Sequence, residues 1–201
     1  MNLQEAYYEL KFENEFLRAK GDEFQTFFER LMGLAHKADF MACRPWGNQG
    51  DCKNDGFLKS ERRLFQVYAP NELNATKAKI KIAEDFAGAR EHWGKYFDKW
   101  VFVHNATGGL PPHVQELLLS FESANPGVRL EPWCLEELRN VFRTLSVDDK
   151  VSWFGPAPTE ATRLKLGFAD LKVVVEKLSG LQVASMTAVK DVPMGKIEAN
   201  A

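Results

Sequence analysis

The chain has 201 residues, of which 45% are hydrophobic and 27% charged; this composition supports one globular domain with a sizeable core and excludes a disordered chain. Twenty-six Lys and Arg against 28 Asp and Glu give a formal charge of −2, which excludes a grossly cationic coat but leaves room for a local basic groove. No apolar run approaches the ~18 residues of a membrane span, and the polar opening MNLQEAYYELKFENEF is no signal peptide. In chain order, a first helix is predicted over Leu3–Ala19. A second runs from Asp22 to about Lys37, because Phe24, Phe27, Phe28, Leu31 and Leu34 recur at steps of three and four. Asp39–Arg44 reads as a short strand stopped by Pro45, and WGNQGDCKNDG as turn chemistry. Arg63–Ala69 alternates Leu64, Gln66 and Tyr68 against Phe65, Val67 and Ala69, the period of a strand.

Asn71–Phe97 is predicted as a long helix with Ile80, Ala83, Phe86 or Ala87, Trp93 and Phe97 on its apolar side. Trp100–His104 is an apolar run suited to a strand buried on both faces. Pro112 opens a helix to about Ser123, Val128–Trp133 is another strand, and Leu135–Leu145 a further helix. Strand, helix, strand, helix in that order implies parallel pairing through crossovers, hence a three-layer α/β domain over residues 1–145. SVDDKVSWFGPAPT, with its glycine and prolines, reads as a linker over 146–158. Residues 159–201 read as a C-terminal helix and tail, the start of a further module, with the natural chain expected to extend beyond Ala201. Ala161, Leu164, Phe168, Leu171, Val175 and Leu178 form a seam that either pairs with a partner helix or packs back on the main domain.

Four features follow one another along the chain. Gly21-Asp22-Glu23-Phe24-Gln25 opens a helix, and Gly50-Asp51-Cys52-Lys53-Asn54-Asp55-Gly56 forms a glycine-flanked acidic turn. Phe65-Gln66-Val67-Tyr68 lies in a strand, and a lysine-bearing helix comes next. This set resembles the restriction-endonuclease-like PD-(D/E)XK superfamily in its Mrr-like branch, where a GxxFE helix precedes GDxGxD and a strand ending QxK. It is also similar to nuclease effector domains of bacterial anti-phage systems, whose first helix often carries Gln. The resemblance covers about residues 21–145 and implies a central mixed sheet of about five strands flanked by helices.

It further implies a phosphodiester hydrolase using Mg²⁺, with Mn²⁺ as an alternative, because such chemistry needs a hard cation on oxygen ligands to activate water and neutralise charge. By the resemblance Asp55 is the metal-binding aspartate, Gln66 the second metal-site position, the Val67 carbonyl a further ligand and Gln25 an outer group. Asp51 either binds metal or caps the turn. The lysine expected two residues after Gln66 is Tyr68. Lys53, Lys59, Lys77 and Lys81 are the substitutes available, both for that role, with Lys77 favoured, and for contact with DNA phosphates.

Taken singly, these features have plainer readings. Asp51 and Asp55 between glycines suit a turn, lysines on a helix suit a solvated face, and His104 ends an apolar strand as a core residue. Three cysteines without CxxC spacing fit a reducing compartment rather than a disulfide scaffold or a zinc site. The expectation is a cytoplasmic DNA endonuclease domain of an anti-phage protein, joined through its C-terminal helix to itself or to a defence partner, with no membrane contact. The alternative is a catalytically degenerate domain of the same fold used for binding nucleic acid or protein.

Overall fold

The computed structural model of the chain describes residues 2–43, 52–159, 171, 172 and 175. The elements are α1 (Leu3–Arg18), α2 (Gly21–His36), β1 (Phe40–Ala42), β2 (Gly56–Leu58), β3 (Arg63–Tyr68), α3 (Ala75–Trp93), β4 (Lys99–His104), α4 (Pro112–Ala124), β5 (Arg129–Trp133), α5 (Leu135–Arg143) and α6 (Val147–Phe154). The five strands lie in the order β1-β2-β3-β4-β5. The first three pair antiparallel and the last three parallel, so the fold is α/β with a mixed open sheet, as expected. A short turn joins β2 to β3 as an antiparallel hairpin, whereas the parallel pairs are joined through α3 and α4.

Alternation along the strands divides the core in two. Phe65, Val101 and Val103 face one side, where Phe12, Phe16, Phe24, Phe27, Phe28 and Phe142 pack on them from α1, α2 and α5. Leu64, Trp100 and Phe102 face the other, against Ile82, Phe86, Val114 and Leu118 of α3 and α4. β4 is buried along both faces, which is why its sequence is a continuous apolar run rather than an alternating one.

Two expectations are corrected. The inner face of α3 is Ala78, Ile82, Asp85, Phe86 and Ala89, whereas Ile80 is exposed. Small residues let the helix approach the sheet, and the buried face includes a carboxylate that hydrophobic periodicity passes over. The stretch read as a linker over 146–158 is helix α6 as far as Phe154. Ser146 and Asp149 form a capping box at its start, and Trp153 is buried among Phe12, Phe27 and Phe142. Tyr8 Oη then donates to the Gly155 carbonyl and accepts from the Ala157 N–H, both at 3.1 Å, which ties the chain down to its last residue in this unit.

Met1–Ala157 forms one compact unit and Pro158–Ala201 another. In the second, Leu171, Lys172 and Val175 are helical; the rest of the predicted seam lies outside the described residues. Among the described residues no helix is long and apolar enough to cross a membrane.

Gly56 opens β2 because nothing larger fits. A Cβ there would stand 2.6 Å from the ring carbons of Phe40 on the neighbouring strand. Gly56→Ala should therefore destabilise the unit by about 2 kcal/mol through overpacking. Chemical denaturation reads this directly, and a loss under ~0.5 kcal/mol would mean that the ring moves aside freely.

Candidate active site at the head of the hairpin

Asn54 is buried, and its side-chain oxygen accepts the Gly56 N–H at 2.9 Å. This Asx turn delivers the chain into β2. The Asp55 N–H then donates to the Phe65 carbonyl at 3.0 Å. Gly56 pairs with Phe65 in the antiparallel register, so Asp55 stands opposite Gln66. The residues that the sequence set eleven positions apart are thus cross-strand neighbours.

Asp55 is 4% exposed and Gln66 3%. A carboxylate that deep must be compensated, and Asp55 Oδ2 accepts from Gln66 Nε2 at 2.8 Å and from the Val67 N–H at 2.7 Å. Both are short, charge-assisted bonds. The N–H and C=O of a strand residue leave from the same edge, so the Val67 carbonyl points toward the edge where Asp55 lies. Gln66 Oε1, in contrast, is buried without a hydrogen-bond partner. An orphaned buried acceptor costs about 1–3 kcal/mol, and a cation is one species that would satisfy it. Asp55, Gln66 Oε1 and the Val67 carbonyl are all hard oxygen donors, the kind Mg²⁺ prefers, and in that respect they fit the implied metal. Among the described residues no three of His, Cys, Asp and Glu converge as a ready-made metal cage. Asp51 lies outside the described residues.

The expected lysine position is Tyr68. It points to the same side of the sheet as Leu64 and Gln66, and its ring stacks on Phe102 at 5.7 Å, within the second cluster. The four candidate substitutes separate clearly. Lys59 is exposed at the far end of β2, four strand residues or ~13 Å along from Asp55. Lys77 is exposed in the first turn of α3, where the Asn74 side chain caps its N–H at 3.0 Å. Lys53 and Lys81 converge instead: each ammonium lies 2.9 Å from the carboxylate of Asp85, whose side chain is wholly buried. The sequence reading supplied both lysines but not Asp85, which lies 32 residues beyond Lys53; its i,i+4 spacing from Lys81 is the one local signal that could have found it.

Gln25 sits one turn into α2, whose first N–H, that of Gly21, donates to the Ala69 carbonyl at 2.7 Å just past the end of β3. Its amide donates to Glu29 at 3.2 Å. His104, paired with Tyr68 across β3 and β4, is 2% exposed. Its Nδ1 accepts the Ala106 N–H at 3.2 Å, which leaves the proton on Nε2. Burial pushes its pKa down to about 4, against a smaller opposing pull from Glu137, so the ring is neutral at physiological pH. No protein-family model matches the chain, and no curated protein matches it significantly.

Proposed function

We propose that this domain is a metal-dependent nuclease that hydrolyses DNA phosphodiesters. The observation that carries the reading is the buried Asp55–Gln66–Val67 group with its orphaned Gln66 oxygen. Asp55, Gln66 Oε1 and the Val67 carbonyl would hold Mg²⁺ or Mn²⁺, with Asp51 as the further candidate. When bound, such an ion polarises a phosphoryl oxygen and activates water. The protein's own part is to orient the Asp55 carboxylate through two fixed donors and to present cationic side chains toward phosphate. The resemblance of the Gly21–Gln25, Asp51–Gly56 and Gln66–Tyr68 motifs to anti-phage nuclease effectors supports a cytoplasmic defence role. In that setting the C-terminal helix would join copies of the chain or a partner protein.

One observation favours a second reading. Tyr68 fills the lysine position and stacks on Phe102, as it would in a nuclease fold kept only for binding nucleic acid or protein. Plasmid nicking at low salt separates the two, with Mg²⁺, Mn²⁺ or EDTA and with Asp55→Ala beside the wild type. Cleavage that needs the metal and disappears in the variant is expected. No cleavage together with no Mn²⁺ binding would leave the binding module.

A further inference from the structure

Helix α1 carries a second apolar stripe that the core does not use. Tyr8, Phe12 and Phe16 are its buried face. Leu3, Leu10 and Leu17 are 44%, 68% and 47% exposed, and they recur at every seventh residue. Seven residues fall ~20° short of two full turns, so the three leucines form one line, about half a turn away from the buried face. One exposed leucine needs no explanation; a line of three along one helix does. The other exposed large apolar side chains of the unit, Met41, Ile80, Tyr96, Leu119 and Val147, each lie in a different strand, helix or connection.

The residues beside that line have the pattern of a two-stranded coiled coil. Tyr7 and Asn14 alternate with the leucines at steps of four and three. This puts Leu3, Leu10 and Leu17 at d positions and Tyr7 and Asn14 at a positions. Tyr7 is half-buried, with its ring edge on Tyr8 at 5.3 Å, and Asn14 is exposed. Leucine at d with a single asparagine at a fixes register and strand number at some cost in affinity.

Charge beside the seam selects the partner and its direction. Lys11 and Arg18 occupy e positions and are exposed. Glu13 occupies a g position; it holds Arg139 at 3.2 Å, yet its side chain is still 42% exposed. In a parallel pair each g residue meets the e residue five positions further along the other helix. That brings Glu13 against Arg18 of a second copy, twice by symmetry. An antiparallel pair would set the e positions against each other, cation facing cation.

The helix is also built in advance. Asn2 and Glu5 form its capping box, Phe12 stacks on Phe142 at 4.5 Å, and Arg139 and Arg143 of α5 hold Glu9. Pairing therefore avoids the ordering cost that keeps a free peptide of about two heptads from associating.

We propose that α1 is a self-association surface, on which two copies of the chain pair in parallel along Leu3, Tyr7, Leu10, Asn14 and Leu17. Glu13 of each copy meets Arg18 of the other. The proposal is independent of the nuclease reading.

Sedimentation equilibrium of the full chain tests it, with reductant present to keep the three cysteines out of disulfides. The seam is short, so the dimer should have a Kd on the order of 10⁻⁵–10⁻⁴ M. Leu10→Glu should weaken it by ~10²-fold or more, since both copies lose a buried leucine. Arg18→Glu and Glu13→Lys should each weaken it ~10-fold by opposing like charges. An equimolar mixture of those two variants should pair as tightly as the wild type. Asn14→Ile should tighten the dimer at least ~10-fold, a gain that a misfolded chain would not show. It decides the matter together with Leu10→Glu if Glu13→Lys, deprived of its bond to Arg139, does not fold. A wild type still monomeric at about ten times the expected Kd would overturn the proposal. So would a dimer indifferent to Leu10→Glu and Arg18→Glu, which would put the contact elsewhere, as on the helix of Leu171 and Val175. Folded charge variants that do not recover on mixing would overturn the parallel arrangement.

Discussion

Gln66→Glu should make the stability of the folded unit depend on divalent cation. In the wild type the Gln66 amide donates to Asp55 Oδ2 at 2.8 Å, and both residues are buried. The substitution puts an acceptor where the donor stood, so two carboxylates face each other out of water and one must take up a proton or repel the other. Losing the bond and stranding the charge destabilises on the order of 3 kcal/mol, or about 6–12 °C in Tm for a unit of this size. A bound cation reverses the balance, because the same two carboxylates become a stronger oxygen site than carboxylate plus amide. Ligand at a hundred times its Kd restores about 2.7 kcal/mol. Thermal unfolding in EDTA and in a Mn²⁺ series should therefore show a large fall in Tm and its recovery, with a smaller metal response in the wild type. A fall without recovery would show that the Gln66 oxygen faces no metal site. No fall at all would contradict the hydrogen bond between Gln66 and Asp55.

How much of this arrangement can be read from the sequence follows from the range of the interactions. Asp55 is singled out by the motif resemblance and its pairing with Gln66 comes from the register of β2 and β3, whereas the alternation of LFQVY places Gln66 on a strand. β4 was legible for the same reason, since burial on both faces writes itself as WVFVH. On helix α3 the apolar periodicity places Phe86 correctly but misplaces Ile80, which is exposed, and misses Ala78, Ile82, Asp85 and Ala89 of the inner face. Apolar periodicity cannot see a carboxylate that is buried with one lysine from its own helix, Lys81, and another, Lys53, from a distant turn. Helix α6 shows a different failure. Its capping box is written plainly in Ser146–Asp149, but Gly155, Pro156 and Pro158 mark the end of that helix, and reading them as its absence turned a packed element into a linker.

The second large effect concerns acid. His104 should make the unit lose about 3 kcal/mol of stability between pH 6.5 and pH 4. Burial within the fold disfavours the imidazolium and lowers the pKa to about 4, with Glu137 opposing in part, whereas the unfolded chain titrates near 6.5. Between those values the unfolded state binds the extra proton, so stability rises with pH there. The contribution is complete above pH 6.5 and is lost as pH falls toward 4; a shift of about 2.5 units is worth about 3 kcal/mol at 1.36 kcal/mol per unit. The ring stands beside Phe102 at 6.2 Å and opposite Tyr68, so His104→Phe keeps the apolar volume and removes the titration, at the expense of the acceptor for the Ala106 N–H. Urea unfolding of both proteins from pH 7.5 to 4 isolates the difference from the carboxylates that titrate in both. The variant should be the less stable protein at pH 7.5 and should close the gap or reverse it by pH 4. Parallel curves across that window would mean that His104 takes up its proton as readily inside the fold as outside it.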